Sequence, residues 1–214
     1  MILNDKEVRV LGCLIEKRMA TPEYYPLSLN ALTNACNQKS SRHPVVIYDD
    51  ETVLQAVNGL KEKQLAWQSN LGRVAKYEER FVRDLNLTNQ EAAVICLLML
   101  RGPQTVGEIK GRTERLYRFD SVEAVNDTLE SLASMDLVVR MPRQVGQKEA
   151  RYSHLMCDQA EESDAPVSSP HLNASENSST DSERLAALEE KVESLSSTLG
   201  DLKQSFLDFK RQFE

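Results

Sequence analysis

The chain has 214 residues, 41% of them hydrophobic and 28% charged, with a formal net charge of −7. That is the composition of an ordinary soluble protein with room for one or two domains. The longest apolar run, AAVICLLML, is far too short to span a bilayer, and MILNDKEVR meets charge too early for a secretory signal, so the cytoplasm is the expected compartment and no membrane partner is expected.

Asn4-Asp5-Lys6-Glu7 has the N-x-x-E pattern of a capping box, and Val8, Leu11 and Ile15 follow at helical spacing. A shorter helix is predicted after Ser28, with Leu29, Leu32, Ala35 and Cys36 on one face. A third carries Val53, Val57 and Leu60, its start explained by capping from Asp50. The hydrophobic period then shortens towards two. LAWQSN, a turn at Leu71-Gly72-Arg73, and VAKYEER predict a β-hairpin.

The same order then returns. Thr88-Asn89-Gln90-Glu91 opens a helix through Ala92, Ile95, Cys96 and Met99, and Thr105-Val106-Gly107-Glu108 opens a shorter one through Ile109. Asp120-Ser121-Val122-Glu123 starts a third, lined by Val122, Val125, Leu129 and Leu132. LVVRMP, a turn around Gly146, and KEARYSHL make the second hairpin. Three helices and a hairpin, occurring twice, predict a mainly α chain with small β-hairpins (α+β): one winged-helix domain at residues 1–84 and another at 85–157. Aligning Leu11 with Ile95, and Leu65 with Leu137, leaves about 12 extra residues in the first unit, assigned to RMATPEYYPLS and NQKSSRHPVVIYDD.

Residues 158–182 are rich in Ser, Asp, Glu, Asn and Pro and predict a disordered acidic linker. In 183–214, Leu185, Leu188, Val192, Leu195, Leu199, Leu202, Phe206, Phe209 and Phe213 alternate in steps of three and four. That is a heptad seam, expected to serve self-association of an amphipathic or coiled-coil helix. Homo-oligomers are expected through this helix or through the winged-helix domains. The acidity belongs to this tail. Residues 1–84 carry 12 Lys and Arg against 11 Asp and Glu, residues 85–157 carry 9 against 9, and residues 158–214 carry 5 against 13.

Little points to catalysis. Cys13, Cys36, Cys96 and Cys157 stand far apart, without C-x-x-C or Cys-His spacing for zinc, and read as small buried hydrophobes. There is no nucleophile elbow and no phosphate-binding Gly-rich loop, and His43, His154 and His171 have no neighbours that suggest a dyad. The expectation is a protein that is not an enzyme and needs no cofactor or metal.

The run YYPLSLNALTNACNQKSSRHPV, which begins at Tyr24, is preceded by LGCLIEK and followed by DSVEAVNDTLESLA. Together they resemble the YceH-like family of bacterial proteins. The resemblance covers residues 1–157 and leaves the tail out. It implies two winged-helix units in tandem and supplies no activity.

In a winged-helix DNA binder the third helix usually enters the major groove while wings and loops hold phosphates. Here the third helices are acidic. The first opens DDET, and the second carries Asp120, Glu123, Asp127 and Glu130 with no positive charge before Arg140. The cations lie elsewhere, so the nucleic-acid contacts expected are Asn34, Asn37, Gln38, Lys39, Ser40 and Arg42 after the second helix, and Arg73 and Lys76 at the first wing. Lys110, Arg112 and Arg115 on the second unit's short helix join them, with Arg140, Arg143, Lys148 and Arg151 along its wing. Asn and Ser in the first segment also suit a purely structural role in shaping turns. A duplex DNA partner is one expectation. The alternative is a protein-interaction adaptor similar to segregation-and-condensation protein B, suited by the apolar AVICLLML helix, the acidic helix faces and the heptad tail.

Overall fold

Residue pattern and capping chemistry account for most of the elements. The computed structural model describes residues 2–69, 72–143 and 149–157. Helix α1 (Asp5–Ala20) starts at Asn4, whose side chain accepts from the Glu7 amide while the Glu7 carboxylate accepts from the Asn4 amide. Helix α2 (Leu29–Cys36) is capped by Ser28. Helix α3 (Asp50–Glu62) is capped by Asp49, one residue before the expected Asp50, which instead accepts from the Thr33 hydroxyl.

Strands β2 (Ala66–Ser69) and β3 (Lys76–Glu79) form the first hairpin. A two-residue strand that patterning did not reveal, β1 (Leu27–Ser28), pairs with β3, giving an antiparallel sheet in the order β1-β3-β2. Two residues are too few to show a period.

A four-residue helix, α4 (Phe81–Asp84), leads to the second half. Helices α5 (Asn89–Arg101) and α6 (Val106–Arg112) both begin with complete capping boxes, at Thr88 and Thr105. Helix α7 (Val122–Ser134) is capped by Ser121 rather than Asp120. Its Val125, Leu129 and Leu132 are buried, but Val122 is 43% exposed and does not belong to the core face. Strands β4 (Val138–Arg140) and β5 (Tyr152–His154) pair as the second hairpin. The Gly146 turn, Leu71 and the whole of 158–214, including the linker and the heptad seam, lie outside the described residues.

The halves repeat in detail as well as in order. After α3, Gln64 takes φ 61° and the Leu65 amide donates to the Leu60 carbonyl at 2.8 Å. After α7, Asp136 takes φ 56° and the Leu137 amide donates to the Leu132 carbonyl at 3.0 Å. Both are helix stops of the Schellman type, one left-handed residue allowing a six-to-one hydrogen bond. Before α6, Gln104 and Tyr152 exchange backbone hydrogen bonds, which matches the place that β1 holds in the first half.

One core serves both halves. Val10, Leu11, Leu14 and Ile15 of α1 are buried with every residue of α5 from Ala92 to Leu100, and α5 packs on α1, α6, α7 and β5. The apolar helix that suggested a protein-binding surface is therefore consumed inside the molecule, where it saves its exposed apolar area from water. The first and last described segments also meet, with the Leu3 amide donating to the Met156 carbonyl at 2.6 Å. No helix among the described residues is long and apolar enough to cross a membrane.

Candidate functional site

The α1–α5 crossing leaves a cleft of about 430 Å³ where the two helices end. The first half contributes Glu16, Lys17, Ala20 and Thr21 of α1 and its cap, and Gln38, Lys39, Ser40 and Ser41 of the loop after α2. The second contributes Cys96, Leu97, Leu100 and Arg101 of α5, and Arg112, Arg115 and Leu116 around the end of α6.

Five cations line this cleft against one carboxylate, and that carboxylate is already engaged. Glu16 Oε2 lies 2.6 Å from the Arg42 guanidinium and 3.5 Å from Lys17 Nζ. Burial would raise the Glu16 carboxyl, but hydrogen bonding and charge from Arg42 outweigh it and hold the group below its usual range. Burial, with the neighbouring cations Arg112 and Arg42, pulls the Arg101 guanidinium below its usual value. The excess positive charge is thus felt within the site itself. Arg101 donates to the neutral Ser41 Oγ at 3.0 Å.

The loop after α2, expected to touch nucleic acid along most of its length, divides into a buried frame and an exposed tip. Asn37 is structural: its amide group donates to the Tyr48 carbonyl and accepts from the Tyr48 amide, both at 2.8 Å. Arg42 is only 6% exposed, and its guanidinium bonds Glu16, the Ala35 carbonyl, the Ser41 carbonyl and Gln38. It has no face left for a phosphate. A guanidinium whose donors are all taken by buried acceptors holds a loop rather than a ligand. The His43 amide donates to the Leu100 carbonyl at 2.9 Å, tying this loop to the end of α5. Lys39 and Ser40 remain exposed, and Asn34 is exposed on α2, bonded to Asn30.

In the second half Arg115 is exposed at the cleft, whereas Arg112 pairs with Glu108 at 3.3 Å and donates to Gln104. Arg151 is held by Glu108 at 3.0 Å and by the Pro103 carbonyl, so it braces the second hairpin. Lys110 donates to the Asp120 carbonyl at 3.2 Å. Arg73, Lys76, Arg140 and Arg143 are exposed on the hairpins and outside the cleft lining. Lys148 lies outside the described residues. Among the described residues there is no cluster of three or more His, Cys, Asp or Glu side chains that could hold a metal ion.

The structure thus brings Gln38, Lys39 and Ser40 together with Arg112 and Arg115, and adds Lys17 and Arg101, which sequence reasoning missed. A signal for those two was present. The alignment of Leu11 with Ile95 also matches Lys17 with Arg101, each a cation in the last turn of the first helix of its half. In isolation such residues read only as complements to a helix C-terminus.

A family model described as "Protein of unknown function, DUF480" matches residues 3–147. The chain is 49% identical over 213 residues to a UPF0502 protein of Solibacter usitatus, covering 99% of this chain and 98% of that protein. It is 48% identical over 217 residues to a UPF0502 protein of Geotalea uraniireducens, covering 100% and 99%. A UPF0502 protein of Aliivibrio salmonicida is 42% identical over 212 residues, covering 95% and 96%. These alignments run through the tail, which the resemblance on residues 1–157 had left out.

Proposed function

Since the chain belongs to the DUF480, or UPF0502, family of bacterial proteins, the same family that the YYPLSLNALTNACNQKSSRHPV run pointed to, we propose that it is a non-catalytic cytoplasmic protein of two tandem winged helices that binds nucleic acid. The order helix, short strand, helix, helix, hairpin in the first half supports the winged-helix reading, as does the Gln104–Tyr152 bridge in the strand's place in the second. One observation carries the binding reading: Lys39 from one half and Arg115 from the other line a single cleft with Lys17, Arg101 and Arg112. Phosphate groups are the natural occupants of a site with five cations and one committed carboxylate. Arg73, Lys76, Arg140 and Arg143 on the hairpins extend the contacts, and the heptad seam at 183–214 is proposed to bring a second copy.

This binding is not the usual insertion of a third helix. Asp127 and Glu130 are exposed on α7, and Asp50 and Glu51 begin α3, so both helices present carboxylates that phosphates repel. The same exposed carboxylates favour the second reading, an adaptor that contacts a basic protein surface without touching DNA.

Fluorescence anisotropy with the full chain and mixed-sequence duplex DNA, across a salt series, decides between them. Nucleic-acid binding requires affinity that falls with salt, the log–log slope being about −0.9 per phosphate contacted. Absence of binding at low salt removes the nucleic-acid reading and leaves the adaptor.

A further inference from the structure

Two properties of the cleft go unused by a run of duplex phosphates: it is concave, and part of its lining is apolar. Leu97 and Leu100 of α5 and Leu116 beyond α6 line it together with the cations. A duplex presents its phosphates on a convex backbone, each a diester with a single negative charge. Such groups meet cations on an open surface and need no leucines. A concave site of about 430 Å³ that joins apolar side chains to a few charged ones has the form of a small-molecule pocket.

The charge is also too concentrated for one diester. Five cations line this volume, and among the described residues no carboxylate lies within ion-pair distance of Lys39, Arg101 or Arg115. A phosphate monoester answers this better. It carries a charge of about −1.5 to −2 at neutral pH and offers three strong acceptor oxygens.

The site is set before any ligand arrives. Ser41 takes φ 59°, in the left-handed region that residues other than glycine seldom adopt, and its hydroxyl accepts from Arg101 at 3.0 Å. The Arg42 guanidinium holds the Ser41 carbonyl at 3.0 Å, and the His43 amide fixes the loop to the Leu100 carbonyl at 2.9 Å. On the other side of Arg101, Gln104 is 3% exposed, accepts from Arg112 and donates to the Arg101 carbonyl at 3.3 Å. Two guanidiniums with like charge are thus held as neighbours, and a strained residue positions one of them. Strain kept at such a place is a mark of a binding site.

We propose that the cleft takes a single nucleotide bearing a 5′-phosphate monoester, with the phosphate on Arg101, Arg115 and Lys39 and the sugar and base against Leu97, Leu100 and Leu116. Each guanidinium can bind a phosphate through two donors, while the lysine adds a point charge. The nucleotide is either the terminal residue of a strand or a free mononucleotide, since both carry the same phosphate. The strand end rests on the nucleic-acid reading above and narrows it to molecules with an accessible 5′-phosphate. The free nucleotide does not depend on that reading.

Two measurements on the full chain test the proposal. The first is anisotropy with a labelled duplex carrying a single-nucleotide 5′ overhang, phosphorylated or not at that end. The phosphorylated end should bind about tenfold or more tightly. Arg115→Gln should abolish the preference, and Arg118→Gln, exposed but outside the cleft lining, should keep it. Equal affinity for the two ends, or a preference that survives Arg115→Gln, overturns the strand end and leaves the nucleic-acid reading standing.

The second is calorimetry with 5′-AMP, adenosine and inorganic phosphate. AMP should bind more tightly than either of the others, because each of those fills only one part of the site. AMP that binds no better than inorganic phosphate overturns the apolar seat for the base. AMP binding by a protein that binds no DNA supports the free nucleotide and sinks the nucleic-acid reading alone. A preference for the phosphorylated end without AMP binding supports the strand end. Absence of both overturns the proposal outright.

Discussion

Cys96 Sγ lies 3.4 Å from the carbonyl oxygen of Gly12, the residue that the alignment of the two halves makes its counterpart. Matched positions of the first helix in each half thus meet at the α1–α5 crossing. The crossing is close because Gly12 has no side chain: a Cβ there would stand 2.9 Å from Leu100 Cδ2 and 3.2 Å from Met99 Cβ. Gly12→Ala should destabilise by about 1–3 kcal/mol from overpacking, offset by up to about 1 kcal/mol of helix propensity. Thermal unfolding checks this, and an unchanged or raised Tm would mean that the crossing yields without strain.

A second close approach joins α1 to α3. A Cβ on Gly59 would stand 2.2 Å from Glu7 Oε1, and the Glu7 carboxylate is held by the Asn4 amide at 2.9 Å and by Lys63 Nζ at 2.6 Å. Gly59→Ala must therefore displace a buried carboxylate from its partners, costing about 1–3 kcal/mol. Glu7→Ala removes the same interactions, so the double variant should cost less than the two single costs added together. Additive costs in a denaturant double-mutant cycle would contradict the contact.

The Arg42 side chain has 0% exposure and its partner Glu16 has 13%. Removing one member of a buried ion pair strands the other, so Arg42→Ala should cost about 3–5 kcal/mol. Replacing both, as in Arg42→Met with Glu16→Leu, should cost less than either single change. Lysine at position 42 should restore little, since an ammonium group cannot reach the same set of acceptors as the planar fork. Urea midpoints of these variants measure the difference.

His154 gives a pH dependence with a defined sign. Burial, opposed weakly by Asp5, lowers its pKa to about 4, and its Nδ1 accepts from the Met156 amide at 3.2 Å. An unfolded histidine titrates near about 6.5, so between the two values the unfolded chain binds more protons than the folded one. This contribution to stability is present in full above about pH 6.5 and is lost as pH falls towards 4. His154→Gln should flatten the dependence over that window, as followed by urea unfolding at several pH values. An equal slope in the variant would assign the effect to other groups.

The cleft and the general surface charge can be separated by charge reversal. Arg118 is exposed but lies outside the cleft lining, whereas Lys39 and Arg115 are exposed within it. Lys39→Glu and Arg115→Glu should each weaken duplex binding and reduce the salt slope by about 1, with a smaller effect from Arg118→Glu. Equal losses from all three would favour diffuse attraction over a site.

Most helix starts were legible in the sequence because a capping box is a local bargain between residues three apart, and Asn4, Thr88 and Thr105 each form theirs as written. Even so, Asp49 and Ser121 cap where Asp50 and Asp120 had seemed suited, because adjacent oxygens compete and only the backbone path selects one. The exposure of Val122 and the two-residue strand β1 escaped for the same reason: each depends on what packs or pairs from far along the chain.

By itself the sequence determined the α+β class, the repeated order of elements and the family, since periodicity, caps and turn residues act over short distances. Only the tertiary structure decided which polar residues are free. Asn37 and Arg42 looked like contacts and prove to be internal braces, while Lys17 and Arg101, which the sequence pattern did not single out, line the cleft. Composition cannot make that distinction, because whether a guanidinium meets a carboxylate or solvent depends on how α1 and α5 cross. The crossing brings residues 84 positions apart, Gly12 and Cys96, into contact.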